Sequence, residues 1–109
     1  CQPMAPPVLR VLASVVQACH AADKPLTLCG EMAGQPTSFV LLIGMGLRSF
    51  SMSPAFIPSM KELARHVTTQ QARDIFHHAL GLKTTARVKF YMRQQLKRIA
   101  PSLSLWDTT

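Results

Sequence analysis

Acidic side chains are scarce in this chain: 5 Asp and Glu stand against 12 Lys and Arg in 109 residues, a formal net charge of +7. Charge of either sign is also thin, at 16% of residues against 48% apolar ones, which excludes intrinsic disorder. Long apolar runs are absent. The longest unbroken one covers residues 39–43, five residues where about 18 are needed to cross a bilayer, so no transmembrane helix and no membrane insertion are expected. Cys1-Gln2-Pro3-Met4 lacks the basic, apolar and small-residue succession of a secretory signal, and the first residue is not Met. The chain is expected to begin in the middle of something larger. The 3 cysteines, Cys1, Cys19 and Cys29, are odd in number and lack C-x-x-C spacing, which argues against a zinc knuckle and for free thiols in a reducing, cytoplasmic compartment. Aromatics make up 6%, and Phe90, Tyr91 and Trp106 offer little stacking surface, so no nucleic-acid partner is expected.

The length suits one domain that buries somewhat over ~60% of its unfolded surface without staples. Its apolar fraction implies that some surface is covered by another chain or domain. Basic charge gathers late: residues 61–98 hold nine cations (Lys61, Arg65, Arg73, Lys83, Arg87, Lys89, Arg93, Lys97, Arg98) and two carboxylates, Glu62 and Asp74. Such a stripe can meet nucleic acid, an acidic partner protein or a phosphorylated ligand, but a solvated helix face is the commoner explanation.

Val8, Leu9, Val11, Leu12, Val15, Val16 and Cys19 recur at helical spacing after Pro6-Pro7, predicting a helix over 7–22 closed by Asp23-Lys24-Pro25. Leu26-Thr27-Leu28-Cys29, between Pro25 and Gly30, reads as a short buried strand, and 30–36 as a loop. Pro36 opens a helix in which Phe39, Leu42 and Ile43 share a face and Gly44 and Gly46 can end it. A second strand is expected at about 49–52. Pro58 opens a helix through Met60, Leu63, Ala64 and Val67. Thr68 with Gln71 forms a capping box for a helix ending near Gly81, and Thr84 or Thr85 caps a last helix that stops before Pro101. Met32, Met45, Met52 and Met60 read as core filler rather than a partner groove.

Short strands alternating with helices call for a parallel sheet with right-handed crossovers, yet two strands make a poor sheet. The pattern resembles the closing part of a larger barrel; a helical domain with a small two-stranded ribbon fits the periodicity as well. Chemistry concentrates in Cys29-Gly30-Glu31-Met32-Ala33-Gly34, which puts a thiol at the carboxyl end of a strand, the edge where parallel α/β folds bind ligands. A cysteine there is equally a small apolar filler. Gly30 and Gly34 permit close approach to a ligand or simply supply turn conformations.

Gln2-Pro3-Met4, Pro6, Val8-Leu9, Cys29-Gly30-Glu31-Met32-Ala33-Gly34, Leu41-Leu42-Ile43-Gly44-Met45-Gly46-Leu47, Phe50-Ser51-Met52-Ser53 and Ile57-Pro58 together resemble the end of the phosphoenolpyruvate-binding domain of enzyme I. Enzyme I is the phosphoenolpyruvate-protein phosphotransferase of bacterial sugar uptake. The likeness runs from residue 1 to about residue 66 and more loosely through the later helices; the C-G-E-x-A-G loop alone also suits pyruvate phosphate dikinases and phosphoenolpyruvate synthases.

The resemblance implies an α/β fold, the C-terminal portion of a (β/α)8 TIM barrel. Strands 7 and 8 with their helices would occupy 1–67, with extra C-terminal helices over 68–101 and a tail over 102–109, the isolated chain being mostly helical. It implies that Cys29 is the acid that protonates the enolate of pyruvate once the phosphoryl group has left. A thiol with pKa near ~8.5 can work in both directions near neutral pH. Gly30 and Glu31 would line the substrate; Glu31 can orient the thiol, bond across a dimer contact or cap loop amides. Where the family carries Asp after this loop the chain has Gln35, which puts the following helix cap in doubt.

The family also uses Mg2+ and arginines drawn from earlier barrel strands, so the cation would be bound by residues outside this chain. Its phosphorylated histidine lies on a separate N-terminal domain, and none of His20, His66, His77 and His78 takes that role. The partners implied are phosphoenolpyruvate and pyruvate, a histidine-containing phosphocarrier protein and a second copy of the enzyme. The rival expectation is a separately encoded dimerisation or interaction module that uses the barrel-end helices to bind a partner.

Overall fold

The computed structural model describes residues 4–29 and 35–101, with the side chain of Cys29 outside that description. Residues 30–34 and 102–109, Met32 and Trp106 among them, also lie outside the described residues. The elements are α1 (Pro6–Ala21), β1 (Leu28–Cys29), α2 (Pro36–Gly44), β2 (Phe50–Ser51), a 3-10 turn (Pro54–Phe56), α3 (Ile57–His66), α4 (Thr69–Leu80) and α5 (Thr85–Ile99). The described chain is mostly helical, in the order the sequence predicts.

Proline starts α1, whose amide there would lack a partner in any case, and Leu9 and Val16 are its buried face. Asp23 ends the turn after it with φ of 55°, a left-handed conformation that a short polar side chain tolerates, and the amide of Lys24 reaches back to the Cys19 carbonyl at 2.8 Å. The chain then runs into β1. β1 and β2 are parallel neighbours, with Leu28 opposite Phe50 and Cys29 opposite Ser51. Each spans two residues, where four are expected.

Between the strands, α2 departs from a one-faced helix. Phe39, Val40, Leu41 and Leu42 are all buried, together with Pro36, Thr37, Ser38 and Gly44. A helix apolar on all sides belongs in the centre of a fold. α2 takes that place, contacting α3, α4 and α5. Its last residue touches α4: a Cβ added to Gly44 would lie 2.2 Å from the Ala72 carbonyl oxygen and 2.6 Å from the Phe76 Cβ. Gly44 is therefore a point of close helix approach, and Gly46, with φ of +109°, ends the helix and makes the turn that follows.

α3 starts one residue before Pro58, after the 3-10 turn, and buries Met60 and Leu63. Met45 is buried as well, while Met52 is half-buried against the core. The capping box forms as predicted: the Gln71 amide donates to Thr68 Oγ1 at 3.0 Å and the Thr68 amide donates to Gln71 Oε1 at 2.9 Å. The Arg87 amide donates to Thr84 Oγ1 at 3.1 Å, so Thr84 rather than Thr85 caps α5. Ala72, Ile75, Phe76 and Ala79 of α4 and Val88, Met92 and Leu96 of α5 join the core cluster that contains α2. Removing the α4 cap should destabilise without disturbing that core. Thr68→Ala is expected to cost about 1 kcal/mol in urea unfolding, with an unchanged slope.

Candidate functional site: the carboxyl edge of the strand pair

Because β1 and β2 run the same way, their carboxyl ends lie side by side, and the backbone of Cys29 pairs with Ser51 at that edge. The strand placement expected for Cys29 is observed; Gly30 and Glu31, predicted beside it, fall outside the described residues. The ladder is tied at its other end by the Leu28 amide, which donates to the Ser49 carbonyl at 3.2 Å. The Thr27 and Ser49 hydroxyls meet there at 2.9 Å.

Past the edge lies a cavity of about 400 Å3 bounded by Phe39 of α2, Phe50 and Ser51 of β2, and Ile57, Met60 and Lys61 of α3. Among the described residues its wall is largely apolar, with Lys61 the single charged one. Phe39 and Phe50 pack with ring centroids 4.8 Å apart and so fix α2 against β2. α2 enters from the same side. Gln35 precedes it in an extended conformation without a side-chain cap, as its replacement for an acidic residue foretold. In the first turn, Ser38 is fully buried and its Oγ has no hydrogen-bond partner among the described residues. Sequence reasoning met Lys61 only as one cation of the basic stripe and did not single out Ser38. Three elements assemble the cavity, and no local spacing announces it.

A hard divalent cation does not fit the described residues. Their carboxylates are Asp23, Glu62 and Asp74, on three separate elements, and no three metal-ligating side chains converge among the described residues. Glu62 is instead engaged on α3, accepting from His66 Nε2 at 3.0 Å and pairing with Arg65 at 3.5 Å. Both contacts are solvent-exposed and contribute little.

Tyr91 on α5 has a clearly displaced ionisation, away from this edge. Burial raises its pKa above the ordinary 10.0, the positive charge of Arg98 lowers it and Asp74 raises it. Below pH 10 the phenol is neutral whether the chain is folded or unfolded, so its contribution to stability is fully present. Above that value the unfolded chain ionises first, and the contribution is lost as pH rises through the higher folded value. Stability should therefore decline more steeply with pH above about 10 in the parent than in Tyr91→Phe, measured by urea unfolding across that range.

Residues 1–69 match the family model of the PEP-utilising enzymes, PEP-binding domain. The chain belongs to the PEP-utilising enzymes. It is 42% identical over 86 residues to the phosphoenolpyruvate-protein phosphotransferase of Haemophilus influenzae, an alignment covering 79% of this chain and 15% of that protein. The phosphotransferase of Staphylococcus carnosus is 37% identical over 87 residues, covering 80% of this chain and 15% of the relative. That of Bacillus subtilis is 32% identical over 96 residues, covering 88% of this chain and 17% of the relative. The chain thus spans about 15% of the length of these relatives. Alignments of such length extend past residue 69 into α4 and α5, so the likeness to PEP-utilising enzymes takes in the C-terminal helices as well as the strand pair.

Proposed function

We propose that the chain is the closing portion of the PEP-binding barrel of a phosphoenolpyruvate-protein phosphotransferase, contributing strands 7 and 8 and the acid Cys29. The observation that carries this reading is the position of Cys29 at the carboxyl end of a parallel strand, within residues that match the PEP-binding domain. Phosphoryl transfer from phosphoenolpyruvate leaves the enolate of pyruvate. The Cys29 thiol gives its proton to the methylene carbon, the S–H bond breaks as a C–H bond forms, and pyruvate and a thiolate result. Gly30 and Glu31 would meet the substrate, with Glu31 orienting the thiol.

The phosphoryl group would pass to a histidine on another domain of the same polypeptide and then to a phosphocarrier protein. Mg2+ and the phosphate-binding arginines would come from residues outside this chain, and the working enzyme would be a cytoplasmic homodimer. The isolated chain is accordingly expected to be inert. Incubated with pyruvate and magnesium in D2O, it should exchange methyl protons no faster than buffer, and turnover abolished by Cys29→Ser would overturn the proposal. The size of the native polypeptide supplies a second check. A product several times larger than 12.0 kDa is expected, and one of 12.0 kDa would favour an interaction module instead. That second reading draws on exposed apolar residues, Val11 at 63% and Val15 at 43% on α1, which another copy or a partner could cover.

A further inference from the structure

At the opposite end of the strands, where α1 and α2 finish, a cavity of about 380 Å3 opens between α1, the exit of α2 and α4. Gln17 and His20 reach it from α1, Arg48 from the segment after α2, and Arg73 and His77 from α4. No Asp or Glu among the described residues lines it. Three of these groups have an account in helix ends. His20 and His77 lie in the last turns of α1 and α4, and Arg48 Nη1 donates to the Ile43 and Leu47 carbonyls, each at 2.8 Å.

Arg73 has no such account. It lies away from either end of α4 and makes no hydrogen bond or ion pair among the described residues. Its neighbour Asp74 faces the cleft between α4 and α5, where its Oδ1 accepts from Gln70 at 2.9 Å. Two guanidinium groups and two imidazoles therefore border one open space without a counter-charge among the described residues. The contacts of Arg48 use Nη1, which leaves its Nη2 and Nε available, and a guanidinium fork matches the paired oxygens of a phosphate or carboxylate. Gly46 makes room for this arrangement, since a Cβ there would come within 3.1 Å of His20 Cε1.

We propose that this cavity binds a compact, multiply charged anion of the phosphate or polycarboxylate class, at a place distinct from the Cys29 edge. The test titrates the full 109-residue chain with pyrophosphate, and separately with citrate, at fixed ionic strength, following the ring signals of His20 and His77 by NMR. Saturable, one-to-one shifts are expected for at least one of the two, and the tighter arm assigns the ligand as phosphate or carboxylate. Arg73→Gln should weaken binding about ten-fold while leaving the free-state spectrum folded, and Arg93→Gln, on the exposed side of α5, should leave it unchanged. Equal losses in the two variants, shifts spread without saturation over the cations of α5, or no shift at all would overturn the proposal. Any of these would leave only the general attraction of a chain carrying +7.

Discussion

Gly44→Ala should be the most damaging one-carbon change in the described chain. The added methyl would lie 2.2 Å from the Ala72 carbonyl oxygen and 2.6 Å from the Phe76 Cβ. The first is main chain and the second is fixed to it, so no rotamer change relieves the overlap. α2 and α4 must move apart, and Leu41, Leu42, Ala72 and Phe76 lose contact in the centre of the core. Overpacking of this kind costs about 3 kcal/mol, on the order of a 10–20 °C fall in melting temperature for a domain of this size. Gly81→Ala is the matched control. Its Cβ would come no nearer than 3.4 Å to the His78 carbonyl oxygen, and its φ of −81° suits any residue. That variant should melt within a few degrees of the parent. A Gly44→Ala chain that did the same would show that α2 and α4 do not meet as described.

The same glycine marks what the sequence discloses and what it withholds. Helix starts carry local chemistry, and Pro6, Thr68 with Gln71, and Thr84 each do at the observed termini what their types predict. Gly44 also reads locally as a helix stop, but it is the last helical residue, and the stop is made by Gly46 at φ of +109°. The contact of Gly44 with Ala72 depends on where α4 crosses α2, which no spacing within either helix encodes. Burial of α2 on nearly all sides has the same origin. Phe39, Leu42 and Ile43 announce one apolar face, but Val40 and Leu41 become core only because further helices, α4 and α5 among them, pack on α2. At the candidate site, the strand-end position of Cys29 follows from Pro25, Gly30 and the short apolar run between them. The cavity that gathers Phe39, Phe50 and Lys61 from three elements does not, and neither does the meeting of Arg48 with Arg73.

On the function proposed above, substituting Cys29 in the polypeptide that would carry the complete barrel should produce the largest functional loss. Serine preserves size and hydrogen bonding, but its hydroxyl is a far weaker acid than a thiol of pKa near ~8.5, and it holds its proton when the enolate carbon needs one. Exchange of pyruvate methyl protons in D2O is expected to fall by about 10²–10⁴-fold, the usual contribution of a positioned acid. The two halves of the reaction should separate. Phosphoryl transfer precedes protonation, so labelling of the enzyme by phosphoenolpyruvate should survive in Cys29→Ser better than proton exchange does. The Michaelis constant for phosphoenolpyruvate should change little, because in the proposed role the thiol would act on a carbon that becomes basic only after the phosphoryl group has gone. Proton exchange within about three-fold of the parent would remove Cys29 from the acid's role, since that loss falls below the contribution of a general acid. Equal loss of labelling and exchange would assign it instead to substrate binding or to the shape of the loop.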